Sequence, residues 1–132
     1  MESLSIVWQR LVNSNGQTCE RCGATYEELE QAVNKLETVL KPLGIEPTIE
    51  VREIGIATFT SDPTQSNRIW IDDKPLEEWL SASVSSSPCC NVCGDSKCRT
   101  IELENEVFET IPAELILKAG LIAAANKIGP NT

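Results

Sequence analysis

The spacing of apolar and polar residues changes along the chain, and each spacing predicts an element. Residues 4–12 are rich in β-branched and aromatic side chains, which predicts a strand. Apolar residues recur at helical spacing over residues 26–40, and Pro42 and Gly44 stop that helix. A further apolar run at residues 45–59 predicts one long strand.

The sequence leaves two positions open for the start of the predicted helix. Thr25 and Glu28 form a capping box, which would start the helix after a Cys-x-x-Cys motif. Thr18 or Cys19 is the alternative cap, and either would place that motif in the first turn. Gly23 disfavours the second start by about 1 kcal/mol relative to alanine.

The second half of the chain reads as short elements joined by polar connections. In chain order they are a strand at 68–71, a turn at 72–74, a helical turn at 75–80, a serine-rich connector at 81–88, a hairpin at 100–111 that turns at 104–106, and a well-buried helix at 112–128. Strands interleaved with helices predict an α/β fold. We expect a single domain over residues 1–132 with a cysteine-rich insertion at about 72–99.

The same patterns predict where two sets of side chains lie. Each of the three tryptophans falls in an apolar stretch, so all are expected in the core: Trp8, Trp70 and Trp79. Acidic residues cluster at the start of the predicted helix and are expected to form a solvated face: Glu27, Glu28 and Glu30.

Composition and charge exclude several classes of function. The 132 residues suit one domain with its own core, and they carry a formal net charge of −9. This charge disfavours nucleic acids and anionic membranes as partners. The N-terminal residues lack a signal-peptide pattern, and no apolar run is long enough to span a bilayer, which together predict a cytoplasmic protein. Because there is no histidine, any soft-metal site must be built from thiolates, with carboxylates as the remaining ligands.

Cys19 and Cys22 are the first candidates for chemistry. In a reducing compartment, a Cys-x-x-Cys motif between a strand and a helix is typical of thiol–disulfide exchange. A helix N-terminus favours the thiolate, and Arg21 adds positive charge. We expect Cys19 to attack and Cys22 to resolve. Two alternatives stay open: half of a zinc site, which uses the same spacing, or buried thiols without a role.

A second cluster holds four cysteines within ten residues: Cys89, Cys90, Cys93 and Cys98. Cys90-Asn-Val-Cys93-Gly resembles a zinc knuckle turn, so these four are predicted metal ligands, with zinc as the candidate cofactor. The site could also be shared with Cys19 and Cys22. The alternatives are a disulfide that closes the insertion and a relay role. We expect the cluster to fold near the first motif, against the alternative that it closes only on itself.

Several stretches together carry a resemblance to known proteins. Thr18-Cys-Glu-Arg-Cys22-Gly-Ala-Thr25 looks like the start of small thioredoxin-like redox proteins. Combined with Ser66-Asn-Arg-Ile-Trp-Ile71, the second cluster and Ile111-Pro-Ala113, it resembles the family described as domain of unknown function 2703 over nearly the whole chain.

The resemblance implies a thioredoxin-like sandwich with a cysteine-rich insertion. The family carries no established activity, and the resemblance supplies no substrate. The Cys-x-x-Cys motif itself predicts a thiol–disulfide oxidoreductase whose partners are protein or small-molecule thiols and disulfides. Thioredoxin proper carries a cis-proline before its third strand, facing the Cys-x-x-Cys motif, whereas residues 65–68 contain no proline. We expect Asn67 to shape that loop instead, since asparagine tolerates unusual backbone angles.

Overall fold

Strands and helices are interleaved along the chain, as in an α/β fold. The computed structural model describes residues 2–12, 20–61, 65, 67–88, 97–108 and 110–128. In chain order the elements are β1 (Glu2–Leu11), α1 (Glu20–Leu40), a 3-10 turn (Lys41–Leu43), β2 (Ile45–Ile54), α2 (Ile56–Ser61), β3 (Arg68–Ile71), β4 (Lys74–Pro75), α3 (Leu76–Leu80), β5 (Ser83–Pro88), β6 (Lys97–Leu103), β7 (Glu106–Phe108) and α4 (Ala113–Ile128). The α/β class predicted from the sequence is confirmed.

The central sheet has four strands in the order β2-β1-β3-β4. β1 runs parallel to β2, and because a parallel pair needs a crossover connection, α1 lies between them in the chain. β3 runs antiparallel to β1, and Gln9 near the end of β1 pairs with Arg68 at the start of β3. A tight turn at Asp72 and Asp73, both with positive φ, returns the chain into β4. This is the turn predicted at residues 72–74.

One face of the central sheet is buried beneath α1 and α4. The inward side chains of β1 and β3 are nearly inaccessible to solvent: Leu4, Ile6, Trp8, Ile69 and Ile71. The buried side chains of α1 recur at helical spacing, as predicted: Leu29, Ala32, Val33, Leu36 and Leu40. α4 contributes small residues alongside one isoleucine: Ile116, Ala119, Gly120, Ala123 and Ala124. Among the helices that the structure describes, none is both long enough and apolar enough to cross a membrane.

The small residues of α4 allow α1 and α4 to pack closely at Gly120. A Cβ atom built on Gly120 would lie 2.7 Å from Leu36 Cδ1, and Leu36 is fully buried and has little room to move. We therefore expect Gly120→Val to lower the free energy of unfolding by about 1–3 kcal/mol through overpacking.

Urea unfolding followed by circular dichroism measures this effect. Gly55→Ala is the matched control, because a Cβ atom on Gly55 meets no atom within 4 Å, and we expect a change of at most about 1 kcal/mol there. Equal unfolding midpoints for the two variants would contradict the close contact between α1 and α4.

The predicted strand at residues 45–59 is too long. β2 ends at Ile54, and after Gly55 the apolar residues continue into the short helix α2. In a short apolar run, the spacing of apolar residues does not distinguish a strand from a helix, and this explains why the strand was predicted to continue to residue 59.

The connector predicted at residues 81–88 is wrong, because β5 occupies most of it. β5, β6 and β7 form a second, three-stranded sheet in that order. The predicted hairpin at residues 100–111 exists, and it turns at Glu104 and Asn105, both with positive φ. It belongs to this second sheet, however, whereas the hairpin of the central sheet is β3–β4.

The three tryptophans differ in their environment. Trp8 is 3% exposed and belongs to the core, as predicted. Trp79 is half-buried against the core, and its Nε1 donates to the carbonyl of Ile71 at 2.7 Å. The prediction that Trp70 lies in the core is wrong. Trp70 alternates with the buried Ile69 and Ile71 and so lies on the opposite face of the sheet. There it lies under the guanidinium of Arg68, 4.6 Å from the ring centroid.

Candidate functional site

The start of α1 decides between the two positions that the sequence left open. The helix begins at Glu20, so Cys22 lies in its first turn and Cys19 directly precedes it in the chain. The predicted helix start after Thr25 is therefore wrong, and the helix includes Gly23. Cys19 itself lies outside the described residues, as do Cys89, Cys90 and Cys93.

Thr25, one turn after Cys22, is the centre of a buried polar network. Its side chain is fully buried. The hydroxyl oxygen accepts hydrogen bonds from Asn67 Nδ2 at 3.0 Å and from the backbone N–H of Ile111 at 3.2 Å. Thr25 therefore joins α1 to the residue before β3 and to the segment before α4, rather than capping its own helix.

Asn67 extends this network to the central sheet. Its Oδ1 accepts a hydrogen bond from Trp8 Nε1 at 3.1 Å, and only 2% of the residue is exposed. The Trp8 ring also contacts Tyr26, with the ring centroids 4.9 Å apart. Both ends of the Asn67 amide are thus held by buried partners, which fixes the orientation of this side chain.

The backbone of Asn67 agrees with the role predicted for it. Its φ is +52°, in the left-handed region where asparagine is enriched, and it directly precedes β3. The described part of the chain contains no cis peptide bond. Asn67, itself in the left-handed conformation, therefore sets the direction in which the backbone enters β3.

Glu28 caps the N-terminus of another helix, which the sequence did not predict. It was predicted to lie on a solvated face together with Glu27 and Glu30, which are indeed exposed. Glu28 is half-buried instead, and its Oε1 accepts a hydrogen bond from the backbone N–H of Ala113 at 2.8 Å. Because Ala113 is the first residue of α4, Glu28 satisfies a free N–H group at the start of that helix.

The burial of Thr25 was not predicted, although the sequence contains a signal for it. Thr25 continues the buried stripe of Leu29, Ala32 and Leu36 toward the start of the helix. A hydroxyl on such a stripe is buried and needs a partner, which the fold supplies from Asn67.

The second cysteine cluster falls in the sequence between β5 and β6, and its last member, Cys98, belongs to β6. Ser87 pairs with Cys98, and Pro88 pairs with Lys97 as the last pair before the connection. Cys89 thus follows directly after a paired residue of β5, and Cys98 is itself paired in β6. The predicted approach of this cluster to Cys22 concerns side chains outside the described residues. Among the side chains that are described, no group of three or more Cys, Asp or Glu could hold a metal ion.

The fold and the cysteines define an α/β protein with a Cys-x-x-Cys motif, Cys19 and Cys22, at the start of its crossover helix and a second group of cysteines that runs from the end of β5 into β6 along the chain. Residues 4–120 match the family described as Domain of unknown function (DUF2703), and the chain belongs to that family. A protein of Archaeoglobus fulgidus described as "Uncharacterized protein" is 43% identical over 113 residues, which cover 86% of this chain and 82% of that protein. No solved structure matches the chain.

Proposed function

We propose that this protein is a thiol–disulfide redox protein that works through Cys19 and Cys22. The observation that carries the proposal is the start of α1 at Glu20, with one cysteine just before the helix and the other in its first turn. N–H groups at a helix N-terminus lack intrahelical partners and favour a nearby thiolate. The helix is 21 residues long and packs on the core through Leu29 and Leu36.

The order of the elements supports a thioredoxin-like sandwich. That architecture begins with strand, helix and strand and continues with an antiparallel hairpin and a helix. β1, α1 and β2, the β3–β4 hairpin and α4 follow this order, with the start of β3 beside the end of β1. In this arrangement Asn67 takes the place before the third strand, and the network through Thr25 ties it to α1.

The proposed reaction is reduction of a disulfide in a partner. The Cys19 thiolate attacks one sulfur of that disulfide, and the other sulfur leaves as a thiolate and takes up a proton. Cys22 then loses its proton, attacks Cys19 in the mixed disulfide and releases the second partner thiol. Two electrons pass to the partner, and a Cys19–Cys22 disulfide remains until a dithiol or two monothiols reduce it.

A redox titration tests the proposal. The protein is equilibrated with mixtures of reduced and oxidised glutathione, quenched with an alkylating reagent and analysed by peptide mass spectrometry. We expect one disulfide between Cys19 and Cys22 that titrates as a two-electron couple. If these two cysteines never pair at any ratio, the proposal is wrong.

A metal site at the second cluster is the second candidate, supported by the strand register. Pro88 and Lys97 flank the segment that carries Cys89, Cys90 and Cys93, and they pair with each other, while Cys98 directly follows Lys97 and pairs with Ser87. Closely spaced thiolates favour zinc or another soft metal.

Elemental analysis of the purified protein separates the two candidates. A site confined to the second cluster predicts about one zinc per chain, which is lost in Cys90→Ser/Cys93→Ser and kept in Cys19→Ser/Cys22→Ser. Loss of zinc in both double variants would indicate one site shared by the two groups of cysteines. A metal-free protein with a titratable Cys19–Cys22 pair would leave thiol–disulfide exchange as the function.

A further inference from the structure

β2 is an edge strand of the central sheet, and one side of its backbone has no partner strand in the part of the chain that the structure describes. The carbonyl of Gly44 accepts a hydrogen bond from the N–H of Glu2, the first residue of β1, and the carbonyl of Ile54 accepts one from the N–H of Val12, which directly follows β1. Because backbone groups alternate along a strand, the N–H and C=O groups of even-numbered residues point to β1 and those of odd-numbered residues point outward. Pro47, which has no N–H, occupies one of these outward positions, where proline is tolerated.

The second half of β2 is open to solvent. Residues 50–53 are all exposed, including Val51 at 43%. Glu50 and Arg52 lie on the same face of the strand and form an ion pair of 2.7 Å with each other. An exposed edge of this length is a template for another strand unless its side chains oppose the pairing.

We propose that two copies of this chain pair antiparallel through β2, with the two-fold axis at Val51. In this register the outward N–H and C=O of Val51 bond to those of the partner's Val51. Glu50 then lies directly opposite the partner's Arg52, and Arg52 lies opposite the partner's Glu50. The two sheets join into one continuous sheet.

The charges on β2 select this register. Glu50 and Arg52 belong to the even-numbered positions, which form non-hydrogen-bonded cross-strand pairs with Cα atoms about 4.5 Å apart, the closer of the two pair types. A shift that centres the axis on Glu50 places two glutamates opposite each other, and a shift to Arg52 places two arginines together. Like charges in such pairs destabilise the sheet, whereas opposite charges stabilise it.

The expected dimer is weak. It rests on one strand pair and one apolar contact between the two Val51 side chains, which is a small interface. The net charge of −9 on each chain adds long-range repulsion that salt screens. We therefore expect a concentration-dependent equilibrium between monomer and dimer that shifts toward the dimer at moderate ionic strength.

Sedimentation equilibrium of the full chain, with a reductant present so that cysteines cannot cross-link copies, tests the proposal. Glu50→Arg and Arg52→Glu each turn two attractive pairs into two repulsive ones, so each should weaken association about tenfold or more. The double variant Glu50→Arg/Arg52→Glu restores opposite charges and should restore the dimer. Restored association in the double variant would identify this register.

Val51→Pro is an independent variant on the backbone. It removes the outward N–H at the axis and should give a monomer, while the folded chain tolerates proline at an outward edge position. Val51→Thr keeps the N–H and a β-branched side chain and should still dimerise. A wild-type chain that stays monomeric up to millimolar concentration overturns the proposal, as does a dimer unaffected by the single charge reversals. These outcomes do not depend on the redox proposal.

Discussion

Cys19→Ser is expected to abolish disulfide exchange, whereas Cys22→Ser is expected to stop the reaction halfway. A serine hydroxyl does not attack a disulfide, so loss of the first cysteine removes the nucleophile, and the rate should fall by about a hundredfold or more. Without Cys22, the Cys19 thiolate still attacks, but no neighbouring thiol resolves the mixed disulfide. The asymmetry follows from the helix start at Glu20, which gives the two cysteines different positions relative to the first turn.

The measurement is reduction of a model disulfide, with intact-protein mass spectrometry to detect adducts. Cys22→Ser should accumulate a covalent adduct of one protein and one half of the substrate, and Cys19→Ser should give none. Glu27→Gln is the matched control, because this exposed residue lies on the same helix beyond the first turn. Adducts on a cysteine of the second cluster in every variant would contradict the assignment of Cys19 as the attacking thiol.

Thr25→Val is expected to lower the free energy of unfolding by about 2–5 kcal/mol, the largest effect on stability that we predict for a single hydroxyl in this chain. Valine has almost the same shape, so the substitution removes the acceptor and leaves the volume unchanged. Asn67 Nδ2 and the N–H of Ile111 then lose their buried acceptor. Each unsatisfied buried donor costs about 1–3 kcal/mol.

Thr25→Ser is the matched control, since it keeps the acceptor and removes one methyl group. We expect it to cost about 1 kcal/mol. Chemical denaturation gives both free energies, and fluorescence of Trp8, which donates to the opposite end of the Asn67 amide, reports on the network directly. A smaller loss for Thr25→Val than for Thr25→Ser would show that the hydroxyl is not the source of stability.

The long periodic segments were predictable because their signal is local. The apolar stripe from Leu29 to Leu40 specifies a helix by itself. α4 was predictable from its alanine and leucine content, which favours a helix. The turn at Asp72 and Asp73 and the left-handed Asn67 also follow from residue chemistry, since aspartate and asparagine accept positive φ. The sequence placed the Cys-x-x-Cys motif between β1 and the end of the first turn of α1 but did not fix the helix start, and the structure puts Cys22 inside the helix.

The boundaries of elements were less predictable. Thr25 and Glu28 have the spacing of a capping box, but α1 starts five residues earlier, and each of the two side chains bonds a residue from a distant segment. Likewise, the serine-rich residues 83–88 have little strand propensity of their own and become β5 because β6 supplies the hydrogen bonds.

The sequence by itself determined the α/β class, the two long helices and the membership of the family, but it left open where α1 starts relative to the Cys-x-x-Cys motif. Only the tertiary structure decided which polar side chains hold the site together. Thr25 meets Asn67 across 42 residues and Ile111 across 86, and Glu28 meets Ala113 across 85. No local period encodes such pairs, because a buried donor or acceptor takes whichever partner the packed elements bring within hydrogen-bond distance.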